Sequence, residues 1–302
     1  MRATVTFAVL LSALLVAACG SGARPQTTPA EPRVTANSAT APPAPEPVRV
    51  AVVVLENKRP DQVLSSGWLA DQAATGGQAL NAVGEVHPSL GNYLAMISGS
   101  TQGVHDDDVN HGPFHAPTIV RQLQVHGVPW RAYMDAMPAA CFGRRSNTDE
   151  SGHYAKRHNP FLFFTDVVNY PNFCRDHVVG GEQLTADIEA GLPRFVWITP
   201  DLCEDMHDCG VDAGQAWMAR TLPAVIAALG PRGVLFVTAD EGYGSGNQIP
   251  LVAIGGGVKP RAVMRRRVDH RALLATIEEL LSLGRMPQTR SASTLAPLLR
   301  TG

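Results

Sequence analysis

The run Val48-Arg-Val-Ala-Val-Val-Val-Leu55, followed at once by Glu56-Asn57-Lys58, decides the fold class. It is apolar except for Arg49, rich in β-branched residues and without polar alternation. That pattern suits a strand buried on both faces, as in a parallel sheet. Gly233-Val-Leu-Phe-Val-Thr238 repeats it and stops at Asp240-Glu241-Gly242; Arg194-Phe-Val-Trp-Ile-Thr199 repeats it ahead of Pro200-Asp201. Trp130–Met134 and Leu251–Ile254 read as further strands. Helical spacing of apolar residues predicts helices over Asp61–Ala74, from Ser89 onward, and over Thr118–His126, Gln183–Ala190, Asp212–Leu229 and His270–Leu283. Strands alternating with helices predict an α/β domain with a mostly parallel central sheet flanked by helices. There are no internal repeats. Residues 138–180 are irregular and rich in Asn, Arg, His and Cys, which reads as a long functional loop.

The N-terminal part has a different character. A short basic start precedes an apolar run, Phe7 to Val16, that is too short to span a bilayer permanently. The run ends in Val16-Ala-Ala-Cys19-Gly, which resembles a bacterial lipobox with Cys19 as the lipidated residue; simple signal cleavage is the competing reading. Residues 1–19 are thus expected to be a lipoprotein signal. Residues 20–47, almost devoid of bulky apolar side chains, are expected to be an extended Pro/Ala/Thr-rich tether. This predicts an exported cell-envelope lipoprotein, attached to the membrane through Cys19, with release outside the cell as a further fate. Residues 48–302 suit one domain with a sizeable core. The net charge of −2 gives no reason to expect a nucleic-acid partner. Arg261 and Arg265-Arg-Arg267 read as a solvated basic loop. With Cys19 set aside, four cysteines remain, an even number in an oxidising compartment. The near neighbours Cys203 and Cys209 pair, which leaves Cys141 with Cys174. A zinc site is the alternative, but the spacing does not match the usual zinc patterns.

Ligands of open α/β sheets bind beyond the carboxyl ends of the strands. Three such ends carry polar, metal-competent groups: Glu56-Asn57, the segment Asp201–Asp208, and Asp240-Glu241. Each alone could be a helix cap or a solvated turn; oxygen donors together suit a hard divalent cation, and His207 or His270 widens the choice of metal. His87-Pro-Ser-Leu-Gly-Asn-Tyr-Leu-Ala-Met-Ile-Ser-Gly-Ser-Thr101 sets Ser89 at the first turn of a helix, beside free N–H groups and the positive end of the dipole. Such a place suits an anion, phosphate above all, although a serine there can be only an N-cap. A Cys203–Cys209 bridge would hold Asp205 and His207 in fixed geometry, with His207 as metal ligand or general acid.

Taken together, Leu55-Glu56-Asn57, His87-Pro-Ser89-Leu-Gly-Asn92-Tyr-Leu-Ala, Ser98-Gly-Ser-Thr101, His158-Asn-Pro160, Pro200–Cys209, Thr238-Ala-Asp240-Glu241-Gly242 and Asp269-His270 resemble the bacterial phosphoesterase family. That family holds secreted acid phosphatases and phospholipases C and belongs to the alkaline-phosphatase-like superfamily. The resemblance covers nearly all of residues 48–285. It implies an alkaline-phosphatase-like fold, a divalent metal of unspecified identity and a hydroxyl nucleophile. By position, Glu56, Asn57, Asp240 and Glu241 resemble metal ligands. Ser89 with Asn92 resembles a nucleophile three residues before a phosphate-binding Asn, and Asp205, His207, His270 and His158 match further polar positions of the site. Two departures stand out: Lys58 where the family commonly has His, and Gly91 where it commonly has Pro.

The expected activity is phosphomonoester hydrolysis through a phosphoserine on Ser89. His207 or His158 would protonate the leaving group, and Asn92, His158, Asp205 and His270 would contact substrate. Short members of the family act on phosphoinositide headgroups, so phosphatidylinositol 3-phosphate is a substrate the resemblance admits. The alternatives are a phospholipase C-type phosphodiesterase and a lipoprotein that binds ligand without turnover.

Overall fold

Val50–Leu55 forms strand β1, every residue of it buried. The computed structural model describes residues 46–143 and 152–300, so the signal segment, Cys19 and residues 20–45 of the expected tether lie outside the described residues. After β1 come helices α1 (Pro60–Val63) and α2 (Trp68–Thr75), strands β2 (Gly77–Ala79) and β3 (Ala82–Val83), and helices α3 (Ser89–Ser98) and α4 (Ile119–Val125). Strand β4 (Trp130–Met134), helices α5 (Thr165–Val168) and α6 (Pro171–His177), strand β5 (Val178–Gly180) and helix α7 (Gln183–Ala190) follow. The chain continues through β6 (Phe195–Thr199), α8 (Val211–Leu229), β7 (Val234–Ala239), β8 (Gln248–Ile249), β9 (Leu251–Ile254), β10 (Ala262–Met264) and α9 (His270–Leu280).

Eight strands form one sheet in the order β10-β2-β9-β7-β1-β6-β4-β5. Its pairings are parallel except where β9 meets β7 and β2. The mostly parallel sheet expected from the sequence is therefore present. β1 lies at its middle, between β6 and β7, and all three strands are buried throughout. Helices flank the sheet; α8 packs on β1 and β7, while α3 packs against α9.

Two expectations need correction. The helix over Asp61–Ala74 is two helices, α1 and α2, broken at residues 64–67. The break is stable because one buried amide from α8 serves its loose backbone groups: Gln215 accepts from the Leu69 N–H at 2.9 Å and donates to the Val63 carbonyl at 2.9 Å. The stretch 138–180 is more ordered than a loop. Within its described part, 3₁₀ turns at Lys156–His158 and Pro160–Phe163 precede α5, α6 and β5. Both disulfides pair as expected, Cys141 with Cys174 and Cys203 with Cys209.

Candidate active site

Because β7, β1 and β6 are neighbours, the segments after them leave the sheet side by side. The backbone joins them: the Asp240 N–H donates to the Leu55 carbonyl at 3.0 Å, and the Glu56 N–H donates to the Asp205 carbonyl at 2.8 Å. Asn57 turns left-handed, with φ 53°, which Asn tolerates better than most residues. Its N–H reaches Asp240 Oδ1 at 2.9 Å, and its side-chain amide donates to Glu56 Oε2 at 2.9 Å.

Ser89 completes this group. It is the first residue of α3, and Pro88, which holds the cap position, has no side chain that could cap the helix. The Ser89 hydroxyl instead donates to Glu56 Oε2 at 3.1 Å, so the N-cap reading is wrong. Gly91 explains itself locally. A Cβ there would come within 2.6 Å of Val86 Cγ2 and 2.7 Å of the Val104 carbonyl, so this first turn has no room for the family's proline.

Glu56, Asp205 and Asp240 are fully buried. Burial, and then the charges of Asp240 and Asp205, hold Glu56 well above the usual carboxylate range. Burial also holds Asp205 well above that range, against the hydrogen bond from the His207 N–H, with Asp240 adding to the rise. Asp240 is raised by burial, against the hydrogen bond from the Asn57 N–H. Glu56 Oε1, Asp205 Oδ2 and Asp240 Oδ2 find no hydrogen-bond partner among the described residues. Unpaired buried carboxylate oxygens are costly, and a hard cation is what such a set of oxygens satisfies best. Among the described residues no three His, Cys, Asp or Glu side chains are gathered closely enough to hold an ion as they stand. The donor set fits a cation by its chemistry, with a Ser hydroxyl and an Asn amide completing two carboxylates.

Not every expected residue faces this point. Glu241 turns to His87, whose Nδ1 lies 2.5 Å from Glu241 Oε2; burial and then Asp240 push it up to about 7. Asn92 is not open to a phosphate. Its carbonyl oxygen accepts from the Glu85 and Val86 N–H groups at 2.8 and 3.1 Å, and its amide donates to the Val86 carbonyl at 2.9 Å. It braces the loop ahead of Ser89. His270 is likewise buried, with Nε2 at 2.6 Å from the Asp240 carbonyl, so it braces that strand end. His158 stacks on Tyr93 and lies between two carboxylates, 3.1 Å from Glu56 Oε1 and 3.4 Å from Asp205 Oδ2. Burial, then Arg157, pushes it well below its usual value, so it is a neutral, enclosed imidazole.

His207 is exposed, and the bridged loop does hold it: its N–H donates to Asp205 Oδ1 at 2.7 Å. Its Nδ1 lies 2.5 Å from Asp208 Oδ1, and its Nε2 lies 3.3 Å from Arg157 Nη2. Arginine can only donate, so the contact with Arg157 uses Nε2 as the acceptor.

Lys58, noted in the sequence only as a departure, borders the site, as do Arg157 and Asp107, which the sequence did not single out. Lys58 is buried and folds back, its ammonium donating to the Glu56 carbonyl at 3.0 Å; burial lowers its pKa. Arg157 lies beside His207, and Asp107 accepts from the Leu90 N–H at 3.0 Å. No spacing rule joins Asp107, Leu90 and Arg157. The immediate neighbourhood of Arg157 to His158-Asn-Pro160 was the one available signal.

The sequence profile of the Phosphoesterase family matches residues 67–284. A phosphatidylinositol-3-phosphatase of Mycobacterium tuberculosis is 30% identical over 261 residues, covering 82% of this chain and 81% of that protein. A probable acid phosphatase of Kluyveromyces lactis is 28% identical over 254 residues, covering 78% of this chain but 59% of that longer protein. Among solved structures, a Vibrio parahaemolyticus protein of the alkaline phosphatase superfamily superposes with a TM-score of 0.55 at 11% identity, over 81% of this chain and 69% of that one. That last likeness is one of fold.

Proposed function

The chain belongs to the Phosphoesterase family, and from that membership we propose that it is a metal-dependent phosphomonoesterase whose nucleophile is Ser89. The observation that carries the assignment is the Ser89 hydroxyl, seated in the first turn of α3 and hydrogen-bonded at 3.1 Å to the buried carboxylate of Glu56. Glu56 and Asp240 would hold a divalent cation with their unpartnered oxygens, aided by Asn57 and the Ser89 hydroxyl. Bound there, the cation lowers the pKa of a hydroxyl and offsets phosphate charge. Ser89 would lose its proton to water, and its Oγ would bond to phosphorus as the ester P–O bond breaks. The leaving alkoxide takes a proton, and water then hydrolyses the phosphoserine. The N-terminal amides of α3 face the developing charge. His207 is the accessible imidazole beside the site and the proposed donor of the leaving alkoxide's proton.

The substrate class proposed is a phosphomonoester, with a phosphoinositide headgroup as the candidate suggested by the name of the mycobacterial relative. A lipid on Cys19, with the chain exported to the cell envelope, would keep the enzyme at a membrane surface. Turnover of p-nitrophenyl phosphate and of bis(p-nitrophenyl) phosphate, with chelator and with added divalent metals, tests the reading. We expect faster turnover of the monoester, loss on chelation and recovery with one or more metals. Faster turnover of the diester would replace it with the phospholipase C-type activity.

A further inference from the structure

The first turn of α3 already holds an anion. Asp107 Oδ1 accepts from the Leu90 N–H at 3.0 Å, and its Oδ2 lies 3.7 Å from Arg157 Nε. Leu90 follows Ser89 directly, so the Asp107 carboxylate covers the backbone donor that a phosphoryl group bonded to Ser89 would seek. Arg157 adds an independent observation. Its side chain is only 10% exposed and its charge acts on the buried acids Glu56 and Asp205, yet its hydrogen-bond and ion-pair partners among the described residues are that distant carboxylate and, at 3.3 Å, the imidazole of His207. A guanidinium carries five donors matched to paired oxygens, and a buried one with such loose contacts is underused. Asp107 can be moved, because its side chain is 32% exposed. The neighbouring turns are held without it: the Asp108 N–H donates to Asp106 Oδ1 at 2.9 Å and the Asn110 N–H to Asp108 Oδ1 at 2.9 Å.

We propose that Asp107 occupies the seat of a substrate phosphoryl oxygen, holding the Leu90 amide and Arg157 until phosphate displaces it, and that Arg157 is the cationic partner of the bound phosphate. The exchange conserves partners. One anion leaves the amide and the guanidinium, another with more charge and better-placed oxygens takes both, and the Asp107 side chain turns to solvent. Free Asp107 then stands as a like charge at the mouth of the site, so it sets how tightly product phosphate is retained.

This rests on the phosphatase reading, and the test separates the two. Affinity for inorganic phosphate is measured on the full chain with metal present, by calorimetry and as competitive inhibition of p-nitrophenyl phosphate turnover. Asp107→Ala is expected to bind phosphate about tenfold more tightly and to lower KM more than it changes kcat, since a charged hydrogen-bond competitor has been removed. Asp107→Asn, which keeps an acceptor without the charge, should fall between, and it serves if the alanine variant folds poorly. Arg157→Ala should weaken phosphate binding by about tenfold or more, with partial recovery in Arg157→Lys. A wild type that turns over substrate while both Asp107 variants bind phosphate no more tightly would overturn this proposal alone. Unchanged affinity in Arg157→Ala would do the same. A wild type with neither turnover nor phosphate binding would overturn the phosphatase reading as well. A cap that merely stabilised α3 would lower thermal stability and leave phosphate affinity where it was.

Discussion

At the scale of single residues, the site gathers like charges and leaves one oxygen of each without a hydrogen bond among the described residues. Glu56, Asp205 and Asp240 are each raised, first by burial. Asp240→Asn should therefore relieve repulsion in the metal-free protein while removing the metal. Melting temperature with chelator should be equal to wild type or higher, and metal stoichiometry and turnover should both fall. A variant that keeps full metal content and turnover would show that Asp240 is not a ligand. Ser89→Ala acts differently. It removes an oxygen from the first turn but leaves Glu56 and Asp240 in place, so metal content should be largely retained while turnover falls by about a thousandfold or more. Glu56, Asn57, Ser89 and Asp240 were legible in the sequence because a carboxyl end of a buried strand, or a polar residue at a helix start, is a recognisable address. The role of Asn92 was not. Its four hydrogen-bonding positions are spent on a loop that must fold back beside it, and nothing in one-dimensional spacing reports that. The same holds for Asp107 and Arg157, which meet from segments fifty residues apart in sequence.

At the scale of elements, the bridged loop Cys203–Cys209 is the part whose stability and function should separate. It closes six residues of sequence, for which chain entropy gives about 2 kcal/mol. Yet it carries Asp205, whose backbone carbonyl takes the Glu56 N–H, and His207. Replacing both cysteines with serine should cost about that much stability and lower kcat by about tenfold or more, because Glu56 and Asp205 lose their mutual brace. Chemical denaturation and kinetics on the same preparation check it; a stability loss with unchanged kcat would make the loop a staple only. Element legibility followed burial. β1, β6 and β7 are covered on both faces and lack alternation, so their sequence runs stood out. β2, β3, β8 and β10 have two or three residues each, too few for any period to register. The break between α1 and α2 depends on Gln215, a residue distant in sequence, and periodicity through residues 61–74 runs across it unmarked. By contrast α3 ends at a glycine, Gly99, in the left-handed conformation with φ 71°.

At the scale of the whole molecule, the buried acids set the pH response. A group whose folded pKa is raised contributes stability below its unfolded value and loses it as pH rises through the folded one. For the metal-free protein the contribution of Glu56, Asp205, Asp240 and Glu241 is thus complete below the ordinary carboxylate value of about 4. It fades as pH climbs through their raised values, that of Glu241 being about 7. Asp187, lowered despite burial by the Tyr133 hydroxyl and then by Arg131, acts in the opposite sense at acid pH, and buried His158, held well below its usual value, does so up to about pH 6.5. With chelator, the melting temperature is expected to fall between about pH 6.5 and pH 8, above the ordinary histidine range; saturating divalent metal should flatten or reverse that slope, since it binds the deprotonated site. A melting temperature that rises over that range with chelator would mean the carboxylates are paired in a way the structure does not contain. The proposed membrane tether is tested at the same scale. Cys19→Ser should move the protein out of the membrane fraction with specific activity retained, and equal retention of processed wild type and variant would remove Cys19 from the account.

The central claim is that Ser89 carries the phosphoryl group, and trapping that group tests it most directly. Wild-type protein with metal is mixed with a radiolabelled phosphomonoester, quenched in acid within the first turnover, and mapped by peptide. Label is expected on the peptide containing Ser89, and none in Ser89→Ala. Label on a peptide without Ser89, or product formed in the first turnover with no phosphoenzyme at any quench time, would contradict the account.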